Sequence, residues 1–242
     1  MQNGIHIRNL TKIYGAGDPA VADLSLDVCP GQVYCLLGHN GAGKSTTLKM
    51  LLGLITPTSG NAWVHEYSVA EEPESVRRAI AYVPENVSLY GELSARENLE
   101  LFRRLGGAVP GKESQDYSSV FRRVGLPEAA VEVRVSSLSK GMKQKLALAI
   151  AISRDSQVLI LDEPMSGLDP FTVDEIAEII LSEKKRSKAV LMVTHELSSV
   201  EQTADTIGFM HQGRLTAELA WPEFQGRDLH TVYKSLLQAA AA

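Results

Sequence analysis

The chain has 242 residues, 44% of them hydrophobic and 22% charged, which is enough apolar side chain for a full core and excludes a disordered polymer. A formal net charge of −5 excludes wholesale wrapping of nucleic acid, since that requires clustered Lys and Arg, but it leaves room for a local phosphate site. The longest apolar runs, such as Leu146 to Ile152, fall well short of the roughly 20 residues that span a bilayer.

The opening MQNGIHIRNL has no charged segment followed by a long apolar stretch, so no leader peptide is expected. Ile5 and Ile7, and then Leu24, Leu26 and Val28, alternate with polar neighbours and predict half-buried antiparallel strands. Val33 to Leu37 is continuous rather than alternating, as are Val158 to Leu161 and Ala189 to Val193; such runs suit strands of a parallel sheet covered on both faces. Cys29 and Cys35 are the only cysteines, and their spacing fits neither a zinc knuckle nor a redox pair. Cys35, inside an apolar run, reads as a buried thiol in a reducing compartment.

Ser45 to Leu54 predicts a helix after the first continuous strand. Ser94 and Glu97 form a capping-box pair ahead of Leu99, Leu101 and Phe102, so another helix should begin there; the segment from 94 to 154 reads mainly as helix. Gly125 and Pro127 mark a helix stop, and the alternating Val131, Val133 and Val135 sit in a stretch read as irregular. Asp169-Pro170 is an N-cap and first-turn pair, followed by the apolar face Val173, Ile176, Ile179 and Ile180. The run from 196 to 205 predicts a helix, and the run from 207 to 218 a hairpin turning at Gln212-Gly213. Leu229, Tyr233, Leu236 and Leu237 predict a last packed helix before four alanines.

Gly38 to Ser45 reads GHNGAGKS and satisfies the phosphate-loop pattern in full, in the required strand, loop, helix order. Glycines at 38, 41 and 43 let backbone N–H groups turn inward around an anion, and the helix that follows adds its positive end. Lys44 supplies full charge toward the β and γ phosphates, and the Ser45 hydroxyl is a Mg²⁺ ligand candidate. Asp162 and Glu163 close the strand from Val158. Beside a phosphate loop, Asp162 suits Mg²⁺ and Glu163 suits polarising the attacking water, whereas alone the pair could merely cap a helix.

At this point the residues resemble the ATPases of ABC transporters across nearly the whole chain. Besides GHNGAGKS and LILDEP, the chain carries LSKGM at Leu138 to Met142, SGLD at Ser166 to Asp169, and Thr194-His195 closing an apolar strand. The resemblance implies an α/β fold: a P-loop ATPase core with a mostly parallel sheet, an N-terminal antiparallel β subdomain and an inserted α-helical subdomain. It implies one nucleotide-binding domain over 1–242, with 1–93 and 155–242 as the catalytic lobe and 94–154 as the helical, signature-bearing lobe. ATP would be held by Gly38, His39, Asn40, Gly41, Ala42, Gly43, Lys44, Ser45 and Thr46, with Mg²⁺ on Ser45, Asp162 and Glu85. Glu163, His195 and Lys44 would carry the chemistry. Ser139 and Gly141 would cap the γ-phosphate of ATP bound to an opposite subunit, which requires a dimer, and SGLD would cross the seam. Tyr14 would stack on adenine or, nearly as well, be a core aromatic.

Two departures from the family pattern stand out. Glu85 occupies the usual glutamine position and adds negative charge beside Asp162 and Glu163; Lys140 and Met142 replace the commoner glycine and glutamine of the signature. Pro84-Glu85-Asn86 and SKGMKQK resemble the branch serving separate membrane subunits in exporters, and GHNGAGKS with PENV is similar to ATPases linked to copper-site maturation of nitrous oxide reductase. The resemblance therefore implies a peripheral protein on the cytoplasmic face, partnered by separate transmembrane subunits and a second nucleotide-binding subunit, with no nucleic acid. Tyr90, Leu93 and Phe102, in the cleft between Glu85 and Leu105, are candidates to receive a membrane partner's helix or to be core. A soluble clamp on ribosomes or DNA is the alternative class, against which stand the net acidity and the lack of a second nucleotide domain; a P-loop kinase or GTPase would need neither LSKGM nor SGLD.

Overall fold

The computed structural model describes residues 3–106, 117–154, 156–224 and 228–240; Ala241, Ala242 and the side chain of Leu237 lie outside, as does part of the predicted helical segment 94–154. An antiparallel sheet is built from β1 (Ile5–Ile13), β2 (Pro19–Val28), β4 (Ser59–Val64) and β5 (Tyr67–Ser68) in the order β2-β1-β4-β5. Ile5 pairs with Val28 and Ile7 with Leu26, so the alternating residues share one face. The alternation breaks at Asn9, whose φ of 51° marks the register shift between Ile7 and Leu10.

The second sheet runs β10-β9-β3-β8-β7-β6, from β3 (Val33–Leu37), β6 (Ile80–Val83), β7 (Val158–Asp162), β8 (Ala189–Thr194), β9 (Thr206–His211) and β10 (Arg214–Ala220). All neighbours are parallel except β10, which pairs antiparallel to β9 through the predicted hairpin at Gln212-Gly213, φ 44° and 79°.

Both faces of this sheet are covered, which is why its strands read as unbroken apolar runs. Val33, Cys35, Leu37, Leu159, Leu161, Val190 and Met192 point to one core. Into it pack α3 (Ala95–Leu105), α4 (Tyr117–Arg123), α5 (Glu128–Val131), α6 (Lys140–Ile152), α7 (Pro170–Lys185) and α8 (Leu197–Thr203). Tyr34, Leu36, Val158, Ile160, Leu191 and Val193 point the other way, against the antiparallel sheet, α1 (Lys44–Leu51) and α2 (Pro73–Ala79). Cys35 is fully buried, and burial pushes its thiol up to about 12, consistent with an inert core residue.

The capping box at Ser94 is present in both directions: Ser94 Oγ accepts from Glu97 N at 3.2 Å and Ser94 N donates to Glu97 Oε2 at 2.7 Å. Asp169 caps α7, its Oδ1 accepting from Thr172 N at 3.0 Å. The 131–135 stretch is irregular: α5 ends at Val131, a 3₁₀ turn spans Val135–Ser137, and Arg134 bridges to Ser94. A last helix, α9 (Leu229–Ala240), stacks Tyr233 on Phe209 of β9 with ring centroids 5.8 Å apart. No helix among the described residues is long and apolar enough to cross a membrane.

Candidate functional site

The carboxyl ends of β3, β7 and β8 bring three loops to one place, the position where open α/β sheets bind ligands. One pocket is lined by His39 through Thr46 together with Ala20, Glu85, Asp162, Glu163 and His195. The loop after β3 needs its glycines for two different reasons. Gly41 and Gly43 hold φ of 83° and 107°, whereas Gly38 has ordinary φ and is small because a Cβ there would lie 2.5 Å from the carbonyl oxygen of Met210. Gly38 thus serves close packing on β9 rather than the inward turn expected of all three.

α1 begins at Lys44, so its N-terminal end opens into the pocket. The Lys44 ammonium donates to the carbonyls of Gly38 (2.5 Å) and His39 (3.2 Å) and lies 3.8 Å from Glu163 Oε1. Burial holds its pKa below the usual lysine value, with the charges of Glu163, Asp162 and Glu85 pulling it back up.

Glu163 follows β7 in the left-handed region, φ 48°, its N–H held by Val193 O at 2.9 Å. Such a conformation in a non-glycine residue costs about 1–2 kcal/mol and aims the side chain back into the pocket mouth. The carboxylate is 8% exposed and gripped from β8: Thr194 Oγ1 donates to Oε2 at 2.9 Å, His195 N to Oε2 at 3.3 Å, and His195 Nδ1 lies 2.7 Å from Oε1. An ionised carboxylate only accepts, so Nδ1 carries the hydrogen and Nε2 is left for another partner.

Asp162 sits beside it, and its carboxyl is raised above the ordinary range by burial first and then by the charges of Glu163 and Glu85. Tyr82 OH reaches Asp162 Oδ2 at 3.4 Å, and burial with that neighbouring charge pushes the phenol up to about 12. Glu85, Asp162 and Glu163 thus crowd negative charge onto a pocket whose buried cation is Lys44. The Ser45 hydroxyl and the Asp162 and Glu85 carboxylates are hard oxygen donors lining one pocket, and a site that penalises ionisation of Asp162 is relieved by a divalent cation, so these residues fit Mg²⁺.

Tyr14, Ser139 and Gly141 do not join this pocket. Tyr14 is 50% exposed with the Lys12 ammonium 5.3 Å from its ring, which removes the core-aromatic reading. Ser139 caps α6, accepting from Met142 N at 3.2 Å, and Gly141 packs on α7, where a Cβ would lie 2.7 Å from Thr172 Cγ2. The contacts of Thr194 with Glu163 and of Tyr82 with Asp162 have no signal in the sequence, because a threonine or tyrosine in a strand carries no pattern that names its partner.

A profile described as ABC transporter matches residues 21–166. The chain is 37% identical over 229 residues to the bacitracin transport ATP-binding protein BcrA of Bacillus licheniformis, covering 94% of this chain and 73% of that protein. It is 36% identical over 215 residues to the phospholipid-transporting ATPase ABCA3 of Homo sapiens, covering 88% of this chain but only 12% of the length of that much longer protein. Among solved structures, an ATP-binding subunit of an ABC transporter superposes with a TM-score of 0.84 at 31% identity, covering 97% of this chain and 100% of that one. A dimeric ATP-binding cassette in a post-hydrolysis state bound to ADP and Pi superposes at 0.79 with 25% identity, covering 89% and 98%. The chain therefore belongs to the ABC transporter family, as an ATP-binding ATPase domain of it.

Proposed function

We propose that the chain binds ATP in the pocket beneath the glycine loop and hydrolyses it to ADP and phosphate, in a sandwich of two cassettes docked on separate transmembrane subunits. The observation that carries this reading is the placement of the Glu163 carboxylate, 3.8 Å from the Lys44 ammonium and 2.7 Å from the His195 imidazole, at the open end of a phosphate loop. The loop amides and the start of α1 bind the phosphates, and the Lys44 ammonium exchanges its loop carbonyls for phosphate oxygens.

Glu163 accepts a hydrogen bond from a water and takes its proton as the water oxygen bonds to the γ-phosphorus and the bond to the bridging oxygen of ADP breaks. Thr194 and the His195 amide keep Glu163 aimed, and His195 Nε2 is available to the γ-phosphate. Ser45, Asp162 and Glu85 would hold Mg²⁺, which supplies charge neutralisation on the phosphate oxygens. Ser139 and Gly141, at the start of α6 and away from their own pocket, suit ATP held by a second copy. Tyr14, half exposed, suits stacking on adenine.

Support for a transporter comes from the likeness to BcrA, an ATP-binding protein of bacitracin transport, and for export from the SKGMKQK stretch. In this reading the protein works peripherally at the cytoplasmic face of a membrane, and Tyr90, 53% exposed, sits where a partner helix would dock. Its test is Glu163→Gln: phosphate release should fall at least about a hundredfold while light scattering with Mg-ATP shows dimers accumulating. Unchanged turnover, or monomers alone under those conditions, would refute it. Tagged protein from detergent-solubilised cells should bring down transmembrane subunits; ribosomal RNA in their place favours the clamp.

A further inference from the structure

The lysine that departs from the family signature makes a contact within its own chain. Lys140 Nζ, from the first residue of α6, donates to the carbonyl oxygen of Ser166 at 2.6 Å. Ser166 belongs to the turn between β7 and α7, and its own N–H donates to the carbonyl of Glu163 at 3.2 Å. The ammonium reaches that carbonyl over Gly167, φ 63°, where a Cβ would lie 2.7 Å from Nζ. The ammonium thus lies directly against the turn. Beside it, Gly141 rests on Thr172, and farther along α6 the Lys145 ammonium lies 2.8 Å from Glu175 Oε1 of α7.

We propose that Lys140 is a positioning residue for hydrolysis: it grips the turn that follows Glu163 and thereby makes the aim of that carboxylate depend on where the start of α6 sits. The inference rests on the role proposed above for Glu163. Its physical basis is that Glu163 occupies a left-handed backbone conformation, φ 48°, which persists only while its surroundings over-determine it. On one side that determination comes from β8, through Val193 O, Thr194 and His195. On the other it comes from the hydrogen bond of the Ser166 N–H to Glu163 O, and Lys140 fixes the next peptide unit along, through the Ser166 carbonyl. A movement of α6 when its tip engages a nucleotide is then felt in the main chain of Glu163 in the same subunit.

The test compares steady-state Mg-ATP hydrolysis by the intact protein, Lys140→Met and Lys140→Arg. Losing one charge-assisted hydrogen bond at an exposed position should lower kcat of Lys140→Met roughly five- to tenfold with KM for ATP unchanged to within about twofold. Lys140→Arg, which can still donate to the carbonyl, should keep at least about half of the parent kcat. In the Glu163→Gln background, Lys140→Met should assemble the ATP-dependent dimer as its parent does. An unchanged kcat for Lys140→Met overturns the proposal. So does a loss expressed in KM or in dimer assembly, which would make the lysine a direct contact to bound nucleotide. Failure of the underlying reading has a separate signature, full turnover by Glu163→Gln alone.

Discussion

Thr194 Oγ1 donates to Glu163 Oε2 at 2.9 Å and accepts from Glu196 N at 3.0 Å, so one buried hydroxyl joins the end of β8 to the carboxylate that ends the next strand over. The hydroxyl's one hydrogen is committed to Glu163 and a lone pair to the Glu196 amide, which fixes its rotor and with it one oxygen of Glu163.

Thr194→Val keeps the shape and removes that donor. We expect kcat to fall roughly tenfold with little change in KM for ATP, because hydrogen bonds to charged groups are worth about 1.5–3 kcal/mol. Thr194→Ser should recover most of the rate. Phosphate-release kinetics on the three proteins decide it, and equal kcat for Val and Thr would remove Thr194 from the account.

Asp162→Asn should stabilise the protein in the absence of nucleotide and metal while abolishing Mg²⁺-dependent turnover. Asp162 has its carboxyl raised above 3.8 in the folded state, so the folded protein binds that proton more tightly than the unfolded chain does. Stability is then lost as pH rises from 3.8 through the raised value, and the penalty persists at neutral pH. Calorimetry in chelator should show Asn melting above Asp near neutrality, the difference shrinking as pH is lowered toward 3.8. A lower melting temperature for Asn at neutral pH contradicts the assigned crowding of Asp162 by Glu163 and Glu85.

Glu85→Gln removes one of the carboxylates facing the proposed metal position. Fewer anionic oxygens weaken a hard cation, so the Mg²⁺ concentration for half-maximal hydrolysis should rise about three- to tenfold. Titration of Mg²⁺ at fixed ATP checks this. A fall in that concentration would show that Glu85 repels the nucleotide more than it attracts the metal.

Glu183→Gln tests a buried charge cluster at the amino end of β8, away from the site. Glu183 is fully buried, with Arg123 Nη2 2.5 Å from Oε1 and Lys188 Nζ 3.0 Å from Oε2; Lys188 is itself 3% exposed. Removing the anion leaves a buried ammonium uncompensated, a loss of about 3 kcal/mol or more. Urea denaturation should show a lower midpoint at unchanged slope, and an unchanged midpoint would mean the ammonium relaxes to water.

Much of this architecture was legible in the chain. The runs Val33 to Leu37, Val158 to Leu161 and Ala189 to Val193 announced themselves as doubly covered strands, the last two running one residue further in the fold, and Ser94 with Glu97 announced a helix start, because burial on two faces and capping are local demands on residue type. GHNGAGKS carried its own chemistry, since a loop that offers backbone amides to phosphate needs glycines in a fixed order.

Partnerships made across long sequence separations were not legible. Nothing in the chain says that Thr194 grips Glu163, that Tyr82 reaches Asp162, that Lys140 holds Ser166, or that Gly38 is small on account of Met210. Which side chains meet is settled by strand order: β7 and β8 lie side by side, so their ends, 32 residues apart at Glu163 and His195, share a carboxylate. Local pattern reports what each residue needs from its surroundings, and only the packed sheet supplies the neighbour that meets the need.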